Sequence, residues 1–141
     1  MKKNAEKLIP GIFFFIGLSL FSGCDIQKFL LEGTGLGILT GTIKIGPLCP
    51  VETVPPNPAC LPTEETYKAY AIGIWTSDGK QKVNTIHPEL NGSYVVDLPA
   101  GFYLIDRENT QTGIRSNLPL TVGIADGYTT VLNISIDTGI R

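Results

Sequence analysis

Histidine is almost missing from this chain: His87 is the single one in 141 residues. Any Ser-His-Asp or Cys-His arrangement must therefore run through that position, and no Gly-x-Ser-x-Gly elbow is present to expose a nucleophile for it. His87 precedes Pro88 in a turn, where a solvated residue is the plain reading; a hydrolytic alternative would pair it with Ser77 or Ser93 and with Asp78, Glu89 or Asp97. Basic charge is not in excess either, at 11 Lys and Arg against 13 Asp and Glu, so the electrostatic footprint of a nucleic-acid binder is lacking. The carboxylates form neither an EF-hand pattern nor a dense Asp/Asn cluster, and Asp97, Asp106 and Glu108 read as a solvated rim. Gly33, Gly35, Gly37 and Gly41 are not followed by Gly-Lys-Ser/Thr, which excludes a phosphate loop. No metal and no cofactor is expected from these residues. A long hydrophobic run is also absent: Ile12 to Phe21 (IFFFIGLSLF) covers ten residues, about half of what a helix needs to cross a hydrocarbon core of roughly 30 Å.

What that short run does form, with Lys2, Lys3 and Lys7 before it and Ser22-Gly23 after it, is the three-part layout of a secretory signal. The segment Phe21-Ser22-Gly23-Cys24 resembles the lipobox of bacterial lipoprotein signals, with Phe21 where Leu is usual. The resemblance implies removal of residues 1–23, acylation of Cys24, and a protein held on a bacterial cell membrane or outer membrane, facing away from the cytoplasm. Two or three acyl chains make such an anchor stable where one holds weakly, each buried methylene contributing about 0.8 kcal/mol. Three Lys and one Glu leave with the signal, so the mature part is more acidic than the whole chain. Residues 24–36 are then a lipidated membrane tether, and 37–141 fit one domain of ordinary size.

With Cys24 assigned to lipid, Cys49 and Cys60 remain. They bracket a stretch rich in proline, and outside the cytoplasm two such thiols are expected to be bonded to each other. Closing a loop of this size stabilises a fold by roughly 2 to 3 kcal/mol. The alternative, a thiolate metal site, needs four ligands and finds only His87 to add.

From residue 37 onward the apolar residues recur with period two. Ile38–Ile45 is the first expected strand, Tyr67–Thr76 the second, with Tyr70, Ile72 and Ile74 on one side and Trp75 on the other. Lys80–Ile86, Ser93–Leu98, Phe102–Asp106, Leu120–Ile124 and Thr129–Ile136 follow, separated by Asp78-Gly79, Asn91-Gly92, Pro99-Ala100-Gly101, the polar loop Asn109–Asn117 and Asp126-Gly127. Tyr94, Val96, Leu98, Tyr103, Ile105, Leu132, Ile134 and Ile136 are expected to face the core. The expected fold is all-β, a seven-stranded antiparallel Greek-key β-sandwich.

The run Asn91-Gly92-Ser93-Tyr94-Val95-Val96-Asp97-Leu98-Pro99-Ala100-Gly101-Phe102-Tyr103 resembles the G-x-F/Y-x-V-x-L-P-x-G-x-Y core of carboxypeptidase regulatory-like domains. That resemblance implies a transthyretin (prealbumin-like) sandwich in which two strands form a hairpin over the Pro-x-Gly turn and Tyr103 packs inward. It says little about activity, because such sandwiches carry many functions. The expectation is a non-enzymatic, membrane-anchored lipoprotein serving as a structural or ligand- and partner-binding accessory module of the cell envelope. Its partners would be membrane lipid through Cys24 and another envelope protein or a glycan. A carbohydrate- or peptide-binding module is one alternative, a hydrolase using His87 another. Candidate binding residues are Trp75 and Phe102, with Glu52 and Val54 on the cystine loop. Trp75 faces either solvent or the underside of that loop.

Overall fold

The computed structural model describes residues 35–51 and 53–141. The signal, the lipobox with Cys24, the tether up to residue 34, and Glu52 lie outside the described residues. Among the described residues nine strands and one short α-helix follow one another in chain order. Strand β1 is Leu36–Gly46; helix α1 is Glu64–Ala69; β2 is Ile72–Thr76, β3 Lys82–Ile86, β4 Ser93–Pro99, β5 Gly101–Arg107, β6 Arg115–Ser116, β7 Leu120–Ile124, β8 Thr129–Val131 and β9 Ile134–Asp137. They form two packed sheets. One has the order β4-β1-β9-β6 with β8 also paired to β1, the other the order β3-β2-β5-β7.

The alternation in sequence explains which side of each strand is buried. In β1, Leu39, Ile43 and Ile45 turn inward, and in β2 Ile72 and Ile74 do so. Tyr94 and Leu98 of β4, Tyr103 and Ile105 of β5, Ile124 of β7, and Ile134 and Ile136 of β9 close the same core. Val96 and Leu132 pack against it half-buried.

Several expectations need correction. The second strand is shorter than Tyr67–Thr76, because its first part is helical: Thr63 caps α1, exchanging hydrogen bonds with Thr66 in a capping box. Glu64 and Glu65 sit in the first turn and Lys68 in the last, each placed favourably for the helix dipole. Tyr67 thus enters the core from a helix, and Tyr70 is the C-cap, half-buried. The seven-stranded count also fails. The polar loop Asn109–Asn117 contains β6, and the last strand is broken in two at Leu132-Asn133. Nor is the sandwich purely antiparallel, since β8 and β9 both run parallel to β1.

Contacts from β1 and β4 meet the chain at the break. The carbonyl of Leu132 comes so near Gly41 that a Cβ there would stand 1.9 Å from it. The Tyr94 hydroxyl donates to that carbonyl at 2.6 Å, and the Asn133 side chain accepts from the backbone N–H of Thr42 at 3.1 Å. The chain steps aside at this point and resumes pairing with β1 as β9.

Pro99-Ala100-Gly101 does not close the expected hairpin. β4 pairs with β1, whereas β5 pairs with β2 and β7, so the turn arches from one sheet to the other and the two strands do not form a paired hairpin. The Tyr103 hydroxyl donates back to the Pro99 carbonyl at 2.8 Å, tying the arch to its own strand. β1 begins at the end that carries this arch and the Ala125–Tyr128 turn. Ala100 N–H donates to the Gly35 carbonyl and Gly127 N–H to the Leu36 carbonyl, both at 3.0 Å. Gly35 and Leu36, expected in the tether, already belong to the sandwich.

Candidate functional site

The cystine loop is bonded as expected: Cys49 and Cys60 form a disulfide with Cα atoms 5.5 Å apart. Asn57 caps a single 3-10 turn, Pro58–Cys60, by accepting from Ala59 N–H at 3.0 Å. The base of the loop is held to the body by Leu48, which packs against the core, and by Thr138, whose hydroxyl donates to the Pro47 carbonyl. Beyond that base the loop is in water. Val51 is 71% exposed and Val54 fully exposed, and a shallow hollow of about 280 Å³ lies between Leu48, Val51, Pro56 and Leu61.

Trp75 sits elsewhere. Because Ile72 and Ile74 face the core, Gly73 and Trp75 fall on the outer face of the β3-β2-β5-β7 sheet. The indole folds back over Gly73, where an added Cβ would lie 2.8 Å from Nε1. A side chain at this position would displace the indole from its seat. The ring is half-buried by its own sheet, beside a hollow lined by Gly79, Leu104, Asp106 and Arg107, and no cystine-loop residue lines that hollow. Phe102, 46% exposed, stands on the same face two residues along β5 from Leu104, the partner of Trp75.

Next to this face Glu108 is engaged, in contrast to the solvated rim expected. It accepts from the Thr85 hydroxyl and from Lys82 Nζ at 3.2 Å. The Thr85 hydrogen bond, followed by Lys82, holds its carboxyl below the usual carboxylate range, with desolvation opposing. Asp97 is exposed, as expected for a rim residue, and Asp106 is half-buried. One nitrogen of the Arg107 guanidinium, Nη1, is buried without a hydrogen-bond partner.

Among the described residues no hydrogen bond joins the His87 side chain to a serine or a carboxylate, and Glu89 meets Ser93 only through the backbone, its N–H donating to the Ser93 carbonyl at 2.8 Å. His87 is exposed at the end of β3, where it lines an open hollow of about 300 Å³ with Glu64, Lys68 and Thr85. Ser93 donates to Asn91 at 2.7 Å. Asp78 is taken by the Thr76 hydroxyl and the Lys80 N–H, which hold its carboxyl below the usual range. Asp97 stands on β4, in the other sheet. Among the described residues no three His, Cys, Asp or Glu lie together as a metal site, and no helix is long and apolar enough to cross a membrane.

No protein-family model matches the chain, and no curated protein does. Solved structures give likenesses of shape. The Bacillus anthracis TIE protein is 12% identical, with a TM-score of 0.45, over 73% of this chain and 16% of its own. GBS52, the minor pilin of Streptococcus agalactiae, is 14% identical, with a TM-score of 0.48, over 73% of this chain and 44% of its own. A DUF3823 family protein from Parabacteroides merdae is 12% identical, with a TM-score of 0.45, over 74% and 47%. The chain spans less than half the length of each.

Proposed function

We propose that this chain is a lipoprotein of the bacterial cell envelope, anchored through acylated Cys24, whose sandwich is a structural or partner-binding accessory module and not a catalyst. The observation that carries the reading is the Cys49–Cys60 disulfide in the domain behind the signal-like segment. Disulfides persist in oxidising compartments outside the cytoplasm, which is where a lipobox would deliver the chain. Tyr103, packed inward as the resemblance implies, supports a carboxypeptidase regulatory-like, transthyretin-type sandwich, whereas the Pro99–Gly101 turn departs from it by joining two sheets. Intact mass of the membrane fraction tests the anchor. The expected species begins at Cys24 and carries acyl chains; Cys24→Ser is expected to abolish acylation, and an unmodified Cys24 in membrane-bound protein would sink the reading.

A glycan- or peptide-binding role is the second reading. It is favoured by Trp75, whose ring lies against the sheet over Gly73 beside exposed Phe102, since aromatic anchors dominate many recognition surfaces. Val54→Ser on the cystine loop and Phe102→Ala on the sheet separate the two candidate edges. Loss of capture of a co-purified envelope partner in one variant, with thermal stability kept, identifies the edge in use; unchanged capture in both excludes both.

A further inference from the structure

The outer face of the β4-β1-β8 sheet changes character halfway along. In the half where β1 begins, Leu36 is 61% exposed, Ile38 38%, Val95 69% and Val131 67%. The register makes them neighbours: Val95 and Val131 lie on either side of Thr40, and Ile38 lies between Asp97 and Thr129. Past Gly41 the same face carries Thr42, Lys44, Ser93, Asn133 and Ser135. Nothing in the core requires this division, because all of these side chains point away from it. Grouped, exposed apolar side chains on a folded domain mark a contact surface.

We infer that the apolar half of this face rests on the lipid bilayer. This depends on the reading of Cys24 as lipidated. Twelve residues lead from Cys24 to Leu36, and fully extended they reach at most about 40 Å. The tether joins the domain at the end where β1 starts, so that end is nearest the anchor along the chain, and it is the end where the face is apolar. Tyr128, 71% exposed, adds an amphipathic side chain there, its carbonyl accepting from Ile38 N–H. Asp97, exposed within the face, sets the depth: the contact lies at the headgroup level, where a carboxylate stays hydrated, and favours zwitterionic over anionic lipid. The bilayer contact and the anchor reinforce each other, since a tethered face meets the surface at high effective concentration.

The test uses full-length lipidated protein in phosphatidylcholine vesicles, with hydroxyl-radical footprinting read by mass spectrometry. The reference is the Cys24→Ser protein in solution. Oxidation of Leu36, Ile38, Val95 and Val131 is expected to fall by about two-fold or more on vesicles while Val54 is unchanged, as for side chains taken into an interface. Equal oxidation in the two samples overturns the inference, and so does protection that grows with protein density on the vesicle, which would mark a second copy as the occupant. Brominated lipid gives an independent reading: Val95→Trp in a Trp75→Phe background is expected to be quenched and Ser135→Trp in the same background is not. Failure of the anchor is seen separately, as protein that does not float with vesicles and has no acyl mass on Cys24.

Discussion

The sandwich core and the cystine loop are held together by different physics. Among the described residues fourteen apolar side chains are buried in the core, and none of them comes from the cystine loop. The core closes because inward residues on seven of the strands and on the helix meet in the same space, each contact supporting the next. The loop buries almost nothing of its own: Val54 is wholly in water, and a covalent bond does what packing does elsewhere. A proline-rich segment, poor in backbone donors, cannot build a ladder, so a cross-link is a natural way to keep it in one shape. The lesson is that rigidity and burial are separable, and that the loop is free to vary in sequence without touching the fold.

The comparison is broken most forcefully from the core side. Ile105→Ala removes a fully buried side chain at the centre of β5 and is expected to cost about 3 to 4 kcal/mol in urea unfolding; a loss under about 1 kcal/mol would mean that the core tolerates a void there. Cutting the loop has a smaller and different effect. Cys49→Ser with Cys60→Ser is expected to lower stability by about 2 to 3 kcal/mol through the unfolded chain, and to open Val51 to Leu61 to protease. Amide protection in β1 and β5 is expected to remain the slowest in the molecule; if it collapses, loop and core are not separate units.

The mildest test is titration. Burial pushes the Tyr94 hydroxyl up to about 12 from an ordinary 10.0, and burial also raises Tyr67 and Tyr103. A raised folded pKa favours the neutral phenol in the native state. Its contribution is whole below pH 10 and is lost as pH rises toward 12, on the order of 2 kcal/mol for Tyr94. Denaturant midpoints measured between pH 9 and 12 are expected to fall, and Tyr94→Phe to flatten the decline. No flattening would place the alkaline sensitivity in the other tyrosines.

Much of the body was legible because strand periodicity is local. β1, β4, β5 and β7 lie where period-two alternation put them, and Tyr94, Leu98, Tyr103 and Ile105 are buried as expected. The outward placement of Trp75 and Phe102 followed from the same alternation. Helix α1 was missed although its signal was present: Thr63-x-x-Thr66 with two acidic residues in the first turn. Six residues are too few for a helical period to stand out beside the strand-like YAIGIW that follows. The loop was no cover for Trp75 because the ring found one in its own sheet, over Gly73.

Neighbours along the chain set which residues of each strand turn inward, where the turns fall, and which two cysteines are available to close a proline-rich loop. The rest depends on residues far apart in the chain. The last strand breaks where Gly41 of β1 and Tyr94 of β4 meet Leu132, between β8 and β9. The Pro99–Gly101 turn becomes an arch because β1 and β2 each claim one of its strands. Likewise the apolar half-face forms because parallel pairing with β8 sets Val131 beside Thr40, opposite Val95. Alternation says that a side chain points outward; strand pairing, a choice among distant partners, decides which outward side chains stand together.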